Sequence, residues 1–341
     1  MADVDLSAYA ENTVAIGPGL CGIPFDGTFD GNGHVIRNLS IADPSGQRVG
    51  LFGTLGPSGL IENLELAEAR VMGHTWVGAL VGYNAGGVVR GCRVTADVQG
   101  MGGAGGIAGI SIGNASISDC RADVRVSARW SEAGGIAARN SGSTIAWCAV
   151  TGTVTGADST GGVAGSQGEG MVSDSSSTCS ITGGRQTGGI VGRNAYSGEH
   201  TVGGLVGFSD SEVSDCWAAA TVFGASPAGG LIGENVYGFV SRCYSYGMVG
   251  GPAPEGGLVG AQRGGCLYEG CFYDCEVDAL PPAVVDTAGI FPRSSVELMS
   301  QRTYAQVGWD FVGETANGTD EIWLIVEGQD YPHLWWEAEE E

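Results

Sequence analysis

Four histidines, ten cysteines and 38 carboxylates are the side chains with which this 341-residue chain could do chemistry. Their spacing removes most of the options. His34, His74, His200 and His333 fit no metal-ligand pattern, and neither CxxC nor HExxH occurs, so no metal site is expected. DGNGH at 30–34 begins like a calcium loop. That loop would need an oxygen donor and a glycine where His34 and Val35 stand, which leaves a structural turn. All fifteen cations are Arg and there is no Lys, which excludes a Walker-type phosphate loop and a Schiff base. No cofactor is implied, and no catalytic residue is named.

Six cysteines recur as Ile or Val, two residues, then Cys: Val89 with Cys92, Ile117 with Cys120, Ile145 with Cys148, Val213 with Cys216, Val240 with Cys243, and a variant, Tyr268 with Cys271. Leu39, Leu64 and Ser175 fill the same slot elsewhere. The slot is therefore a core position in which Cys acts as a small hydrophobe, and free thiols are expected there. Cys266 and Cys275, flanking the last turn, are the pair most open to oxidation.

The cysteine slot belongs to a longer period. VGLFG (49–53), GALVG (78–82), GGIAG (105–109), GGIAA (134–138), GGVAG (161–165), GGIVG (188–192), GGLVG (203–207), GGLIG (229–233) and GGLVG (256–260) recur near every 27 residues. The exception is one short interval, with the irregular repeat at 188–203. Such a period, rich in Gly, Val and Ile and without helical spacing, predicts a β-solenoid. The aliphatic letter of each phrase, as in Leu51, Leu80, Ile107, Ile136, Val163, Ile190, Leu205, Leu231 and Leu258, is assigned to an inward-facing stacked strand. The corner that follows is polar in Asn84, Ser111, Asn140, Gln167, Asn194, Ser209, Asn235 and Gln262, residues that suit tight backbone turns. A third, Val-rich segment (Val98, Val124, Val126, Val154, Ile181, Val222, Val249) completes each coil.

The expected fold is all-β: a right-handed, three-sided parallel β-helix, with handedness taken from the bias of parallel crossovers. The chain divides into an N-terminal opening coil at 1–48, the repeat solenoid at 49–279 and a small mixed C-terminal cap at 280–341. In the cap, a helix start at Ser294 or Ser295, a turn at Asn317-Gly318 and a strand over 322–326 are expected. At the irregular repeat, either a coil is cut short or a segment loops out beside the stack.

A balance of 38 acids against 15 bases gives −23, so nucleic acid is a poor partner. No apolar run is long enough to span a membrane, and residues 1–20 lack the basic start and apolar stretch of a secretory signal.

GG[LIV]VG with its polar corner and [IV]xxC resembles the GLUG repeat of bacterial surface and secreted proteins, including β-helical portions of adhesins and of IgA-cleaving metallopeptidases. FDGTFDGNGHVIRNLSI resembles the coil that commonly precedes such repeats, and GWDFVGETANGTDEIWLIVEGQDYPHLWW is similar to a C-terminal segment found with them. The resemblance implies an extracellular or cell-surface parallel β-helix and carries no catalytic residue onto this chain. The function expected is structural or adhesive: binding glycans, other surface components, or copies of itself as fibres. The alternative is a carbohydrate-active enzyme, a polysaccharide lyase or glycoside hydrolase, working in a groove on one face. Charged residues beside the cysteine slot, such as Asp119, Arg121, Asp215 and Arg242, are expected to point outward as a solvated column. Candidate sugar-stacking aromatics are Trp309, Trp323, Tyr331, Trp335 and Trp336 in the cap, with Trp76 and Trp130 just before two Gly phrases.

Overall fold

The computed structural model describes residues 2–9, 15–17, 23–195, 211–225, 227–251, 255–277 and 287–340. Each coil contributes a strand to three parallel sheets. Among the described residues sheet I holds eight strands and begins within the Gly phrase, as in Ala108–Ile112; sheet II holds nine and carries the residue that precedes the cysteine slot by three, as in Ser116–Ser118. Sheet III holds the Val-rich segments, such as Arg121–Ala128. Every strand pairs in parallel with its counterparts one coil away, apart from an antiparallel pair, Trp323–Leu324 with His333–Leu334, in the C-terminal unit.

The aliphatic column is as the period predicts. Leu80 N–H donates to Ile107 O at 3.1 Å, Ile107 to Ile136 O at 2.9 Å and Ile136 to Val163 O at 2.9 Å. All four side chains are fully buried. At roughly 1.5–3 kcal/mol for each large aliphatic side chain taken out of water, this column is a main source of stability.

The glycines of the phrase serve packing between coils. A Cβ on Gly106 would lie 2.0 Å from Gly135 O, one on Gly135 2.2 Å from Gly162 O, and one on Gly162 2.1 Å from Gly189 O. The backbone of the next coil occupies the space of the missing side chain. The phrase thus turns the corner from sheet III into sheet I, and its aliphatic residue points inward from that corner.

The polar corner differs from expectation. Asn84, Asn140 and Asn235 lie in strands and none has a left-handed backbone; their side chains point inward and close the turn that follows. Asn84 accepts from Gly87 N–H at 2.9 Å and donates to Gly87 O at 3.1 Å, and Asn235 donates to Gly238 O at 3.1 Å. The left-handed backbone of that corner comes two residues later, at Gly86, Gly113, Gly142, Glu169, Tyr237 and Gly264, and a second left-handed turn falls just before the cysteine slot, between sheets II and III. Asn38, Asn63, Gly91, Asp119, Trp147, Asp174, Asp215, Arg242 and Gly270 all have φ between 45° and 60° there.

That corner gives the cysteines a second role. The thiol donates to the carbonyl two residues back: Cys120 to Ser118 O at 3.0 Å, Cys216 to Ser214 O at 3.0 Å and Cys243 to Ser241 O at 3.1 Å. Ser175 does the same to Ser173 O at 2.6 Å. The slot is buried, as expected, but Cys and Ser share in it a hydrogen-bond donor that Leu39 and Leu64 lack. All nine described cysteines are free, Cys266 and Cys275 included. Burial pushes the thiols of Cys120, Cys243 and Cys271 well up, and that of Cys179 up to about 12.

At the irregular repeat the described strands keep their partners. Val191–Ala195 pairs directly with Ile232–Val236, and Glu212–Ser214 pairs with both Met171–Ser173 and Phe239–Ser241, so the ladder continues on both sides. The second copy of the phrase, with Leu205, Ser209 and His200, lies outside the described residues. At the start of the chain the opening coil is continuous with the repeat: one strand, Ser40–Val49, crosses the expected boundary. Asp30 accepts from Asn32 N–H at 2.8 Å and from Asn63 Nδ2 at 3.1 Å, which places the DGNGH carboxylate in a structural turn.

Two outcomes follow from this packing. Gly135→Ala should destabilise the solenoid by roughly 1–3 kcal/mol, because a backbone carbonyl cannot withdraw, whereas Gly265→Ala, with nothing within 4 Å, should stay within about 0.5 kcal/mol in urea unfolding. Among the described cysteines, a thiol reagent should modify exposed Cys275 first and half-buried Cys266 more slowly, and should reach the buried column only after denaturation; prompt labelling of Cys120 would contradict the structure.

Candidate functional site

The outer face of sheet III, the sheet with the most strands among the described residues, is in large part open. In its regular strands, as in Arg121–Ala128, burial alternates, so every second side chain points out. Parallel register aligns these into rows along the rod. One row reads Arg70, Asp97, Arg125, Thr153, Ser180, Thr221. The next reads Met72, Gln99, Ser127, Thr155, Thr182, Phe223. Coils are about 4.8 Å apart.

Three zones follow one another along the face. The first is charged, with Glu68, Arg70, Asp97, Asp123 and Arg125 bordering a shallow depression of about 700 Å³. A second depression, of about 470 Å³, adjoins it over Met72, Gln99, Ser127 and Thr155, with Met101 and Arg129 at its rim. The middle zone is a patch of exposed hydroxyls: Thr151, Thr153, Thr155, Thr178, Ser180, Thr182 and Thr221. Phe223, 59% exposed, ends its row, and its ring lies over the next coil's Gly250, where a Cβ would sit 3.3 Å from it.

The third zone is aromatic and covered. Trp217, Tyr244 and Phe272 continue the row of Arg93, Arg121, Ala149 and Ser176. The C-terminal unit packs on them with Leu298, Tyr304, Trp309, Phe311, Trp323, Tyr331 and Leu334. Rings of Trp309 and Trp323 meet at 4.4 Å, and Tyr331 stacks on Tyr246 at 4.1 Å. Glu337 accepts from Trp217 Nε1 at 3.0 Å and from Ser176 Oγ at 2.5 Å. The unit was expected on the last coil. Ile290–Arg293 does extend sheet III there, pairing with Cys271–Asp274, but the aromatic cluster lies sideways because the outward rings of three coils need cover. A capping box at Ser294 and Glu297 starts the helix Ser295–Leu298, and the expected strand is reduced to Trp323–Leu324.

The sequence-derived aromatics are therefore divided. Trp309 and Trp323 are fully buried and Tyr331 nearly so, all in the aromatic packing that joins the unit to sheet III. Trp335 is 40% exposed, and half-buried Trp336 lies under the guanidinium of Arg121 at 5.1 Å. Trp76 is half-buried beneath Arg139 at 5.2 Å, while Trp130 is 59% exposed beside His74 at the corner from sheet III to sheet I. Phe223 was missed, although TVF already carries the alternation that turns Thr221 and Phe223 outward.

Electrostatics concentrate at the seam below the C-terminal unit. Asp215 and Arg242, expected to face solvent, form a bidentate pair at 2.7 and 2.5 Å across adjacent coils, with Asp215 buried. The left-handed corner and the covering unit turn them from a solvated column into a seam. Burial outweighs Arg242 and raises the Asp215 carboxyl. Asp174, one coil earlier, is pushed up to about 6 by burial, with Asp215 and Asp320 adding to the effect. At the opposite corner burial would raise Glu132, yet Arg139 and Ser131 overcome it and hold it below the ordinary range. Among the described residues no group of His, Cys, Asp or Glu is arranged to hold a metal, and no helix is long and apolar enough to cross a membrane.

A three-sided parallel β-solenoid with an open, patterned sheet is the class of protein that these features define. Comparison adds the particulars: residues 73–99 match the GLUG motif. Over 115 residues, 32% of this chain and 1% of the relative, the sequence is 37% identical to halomucin of Haloquadratum walsbyi. Over 92 residues, 25% of this chain and 10% of the relative, it is 37% identical to a protein provisionally described as a Gly-rich membrane protein of Evansella cellulosilytica. The matched segments thus span only a small part of both relatives. Among solved structures, a chain provisionally described as an immunoglobulin A1 protease from Bacteroides ovatus aligns over 98% of this chain and 84% of its own, at 17% identity and a TM-score of 0.45.

The seam yields a pH dependence. Folding raises the Asp174 pKa from 3.8 to about 6, so its contribution to stability is complete below pH 3.8 and is lost as pH rises through about 6. Asp174→Asn should remove this component. The thermal midpoint read by tryptophan fluorescence should then differ less between about pH 5 and about pH 8 than in the parent.

Proposed function

We propose that this chain is part of an extracellular or cell-surface protein, a rigid acidic rod that adheres to glycans through the open outer face of sheet III. The observation that carries the proposal is the register of that face. Charged, hydroxyl and aromatic side chains are aligned on consecutive coils whose strands pair in continuous parallel register, so the array is pre-organised for a long ligand. The GLUG motif and the similarity to halomucin and to a membrane protein support a surface role. A net charge of −23 disfavours polyanions.

Glu68, Asp97 and Asp123 border the charged zone and keep a carbohydrate-active enzyme as the second reading. They stand on an open sheet, Glu68 and Asp123 exposed and Asp97 half-buried. A general acid at neutral pH needs the burial that raises a carboxyl pKa, so adhesion is favoured over catalysis.

The test is a glycan array probed with the purified protein, with lyase and hydrolase assays on every polysaccharide that binds. Binding without chain cleavage is expected, weakened about tenfold or more when Thr151, Thr153 and Thr155 are all replaced by Val, which keeps strand propensity and removes the hydroxyls. Cleavage would replace adhesion with the enzymatic reading. Absence of any binding, with concentration-dependent sedimentation, would leave self-association as the function.

A further inference from the structure

We infer that the row Gln99, Ser127, Thr155, Thr182 and Phe223 is the carbohydrate track of this face, and that its ligand is an uncharged, extended polysaccharide lying along the rod axis. The inference rests on the glycan-binding reading and narrows it to one row and one ligand class. The row is set by register, one residue per coil from Gln99 to Phe223. It has no charged member, whereas the row beside it carries Arg70, Asp97 and Arg125. Amide and hydroxyl groups that both donate and accept suit sugar hydroxyls, and a carboxylate or sulfate would meet no cation within the row. The chain's acidity opposes anionic polysaccharides still further.

Phe223 supplies the second, independent observation. Phe223 is 59% exposed and belongs to neither buried cluster, so its ring gives little to folding and is left available on the open face. Gly250 in the next coil leaves the floor under its ring free of any side chain, with contacts of 3.3 and 3.6 Å from the position of a Cβ. The ring thus rests against the sheet with its other side open, a platform for the apolar face of a sugar ring. The depression over Gln99, Ser127 and Thr155 continues the track toward Met72. A flat β-linked chain advancing close to one coil spacing, about 4.8 Å, per ring would keep successive sugars in step with successive hydroxyls.

Calorimetric titration with cellohexaose and chitohexaose as neutral probes, and with an oligogalacturonate as the charged one, tests this on the whole chain. Neutral hexaose should bind and the oligogalacturonate should not. Phe223→Ala and the pair Thr155→Val with Thr182→Val should each weaken binding about tenfold. Tyr237→Ala, an exposed ring at the corner between sheets I and II, should leave it unchanged. Circular dichroism checks that each variant is folded. Wild-type affinity in both row variants, preference for the oligogalacturonate, or binding of array glycans but neither neutral hexaose would each overturn the track while adhesion stands. Failure to bind any glycan on the array would remove both.

Discussion

Contact between the backbones of successive coils at the Gly phrase is the constraint on which the rest depends. With a carbonyl of the next coil 2.0–2.2 Å from where each Cβ would stand, the coils meet without intervening side chains. The same contact brings the aliphatic column into one dry stack and lets all three sheets keep a single register. Sheet III inherits its rows from that register. A chain that gained methyl groups at these corners would lose the alignment of Thr153 with Ser180 and Thr221, and with it the patterned face.

Much of this was legible in the sequence because it is local and periodic. The inward aliphatics, the cysteine slot and the three-strand coil need only a 27-residue comparison and the alternation of a strand. What escaped depends on which way a side chain points and on contacts between distant segments. Asn84 and Asn235 carry the composition of a turn, yet they are strand residues that serve the turn from inside. Asp215 and Arg242 look like a solvated pair until a segment some seventy residues further on covers them. The left-handed corner did leave a signal in Asn38, Asn63, Gly91, Asp119, Asp174 and Asp215 before the core slot, obscured by Trp147 and Arg242 at the same place.

The candidate face was legible only in part. Counting aromatics drew attention to the C-terminal segment, where Trp309 and Trp323 are committed to packing. Thr155 with Thr182 and Thr153 with Ser180 keep the sequence period, but the interval from Ser180 to Thr221 is lengthened by the interruption, and only the pairing aligns Ser180 with Thr221 and Thr182 with Phe223. Charge gave the broad exclusion of polyanions; burial and register supplied the finer division into charged, hydroxyl and aromatic zones.

The interruption itself has a consequence for how such rods diversify. Val191–Ala195 and Glu212–Ser214 stand further apart in sequence than the matching strands of other coils, yet both keep the partners of an unbroken coil between sheets I and II. Length in residues and length in ångströms are thereby uncoupled at that corner. Genetic additions can accumulate there as appendages without altering the pitch of the shaft that bears them.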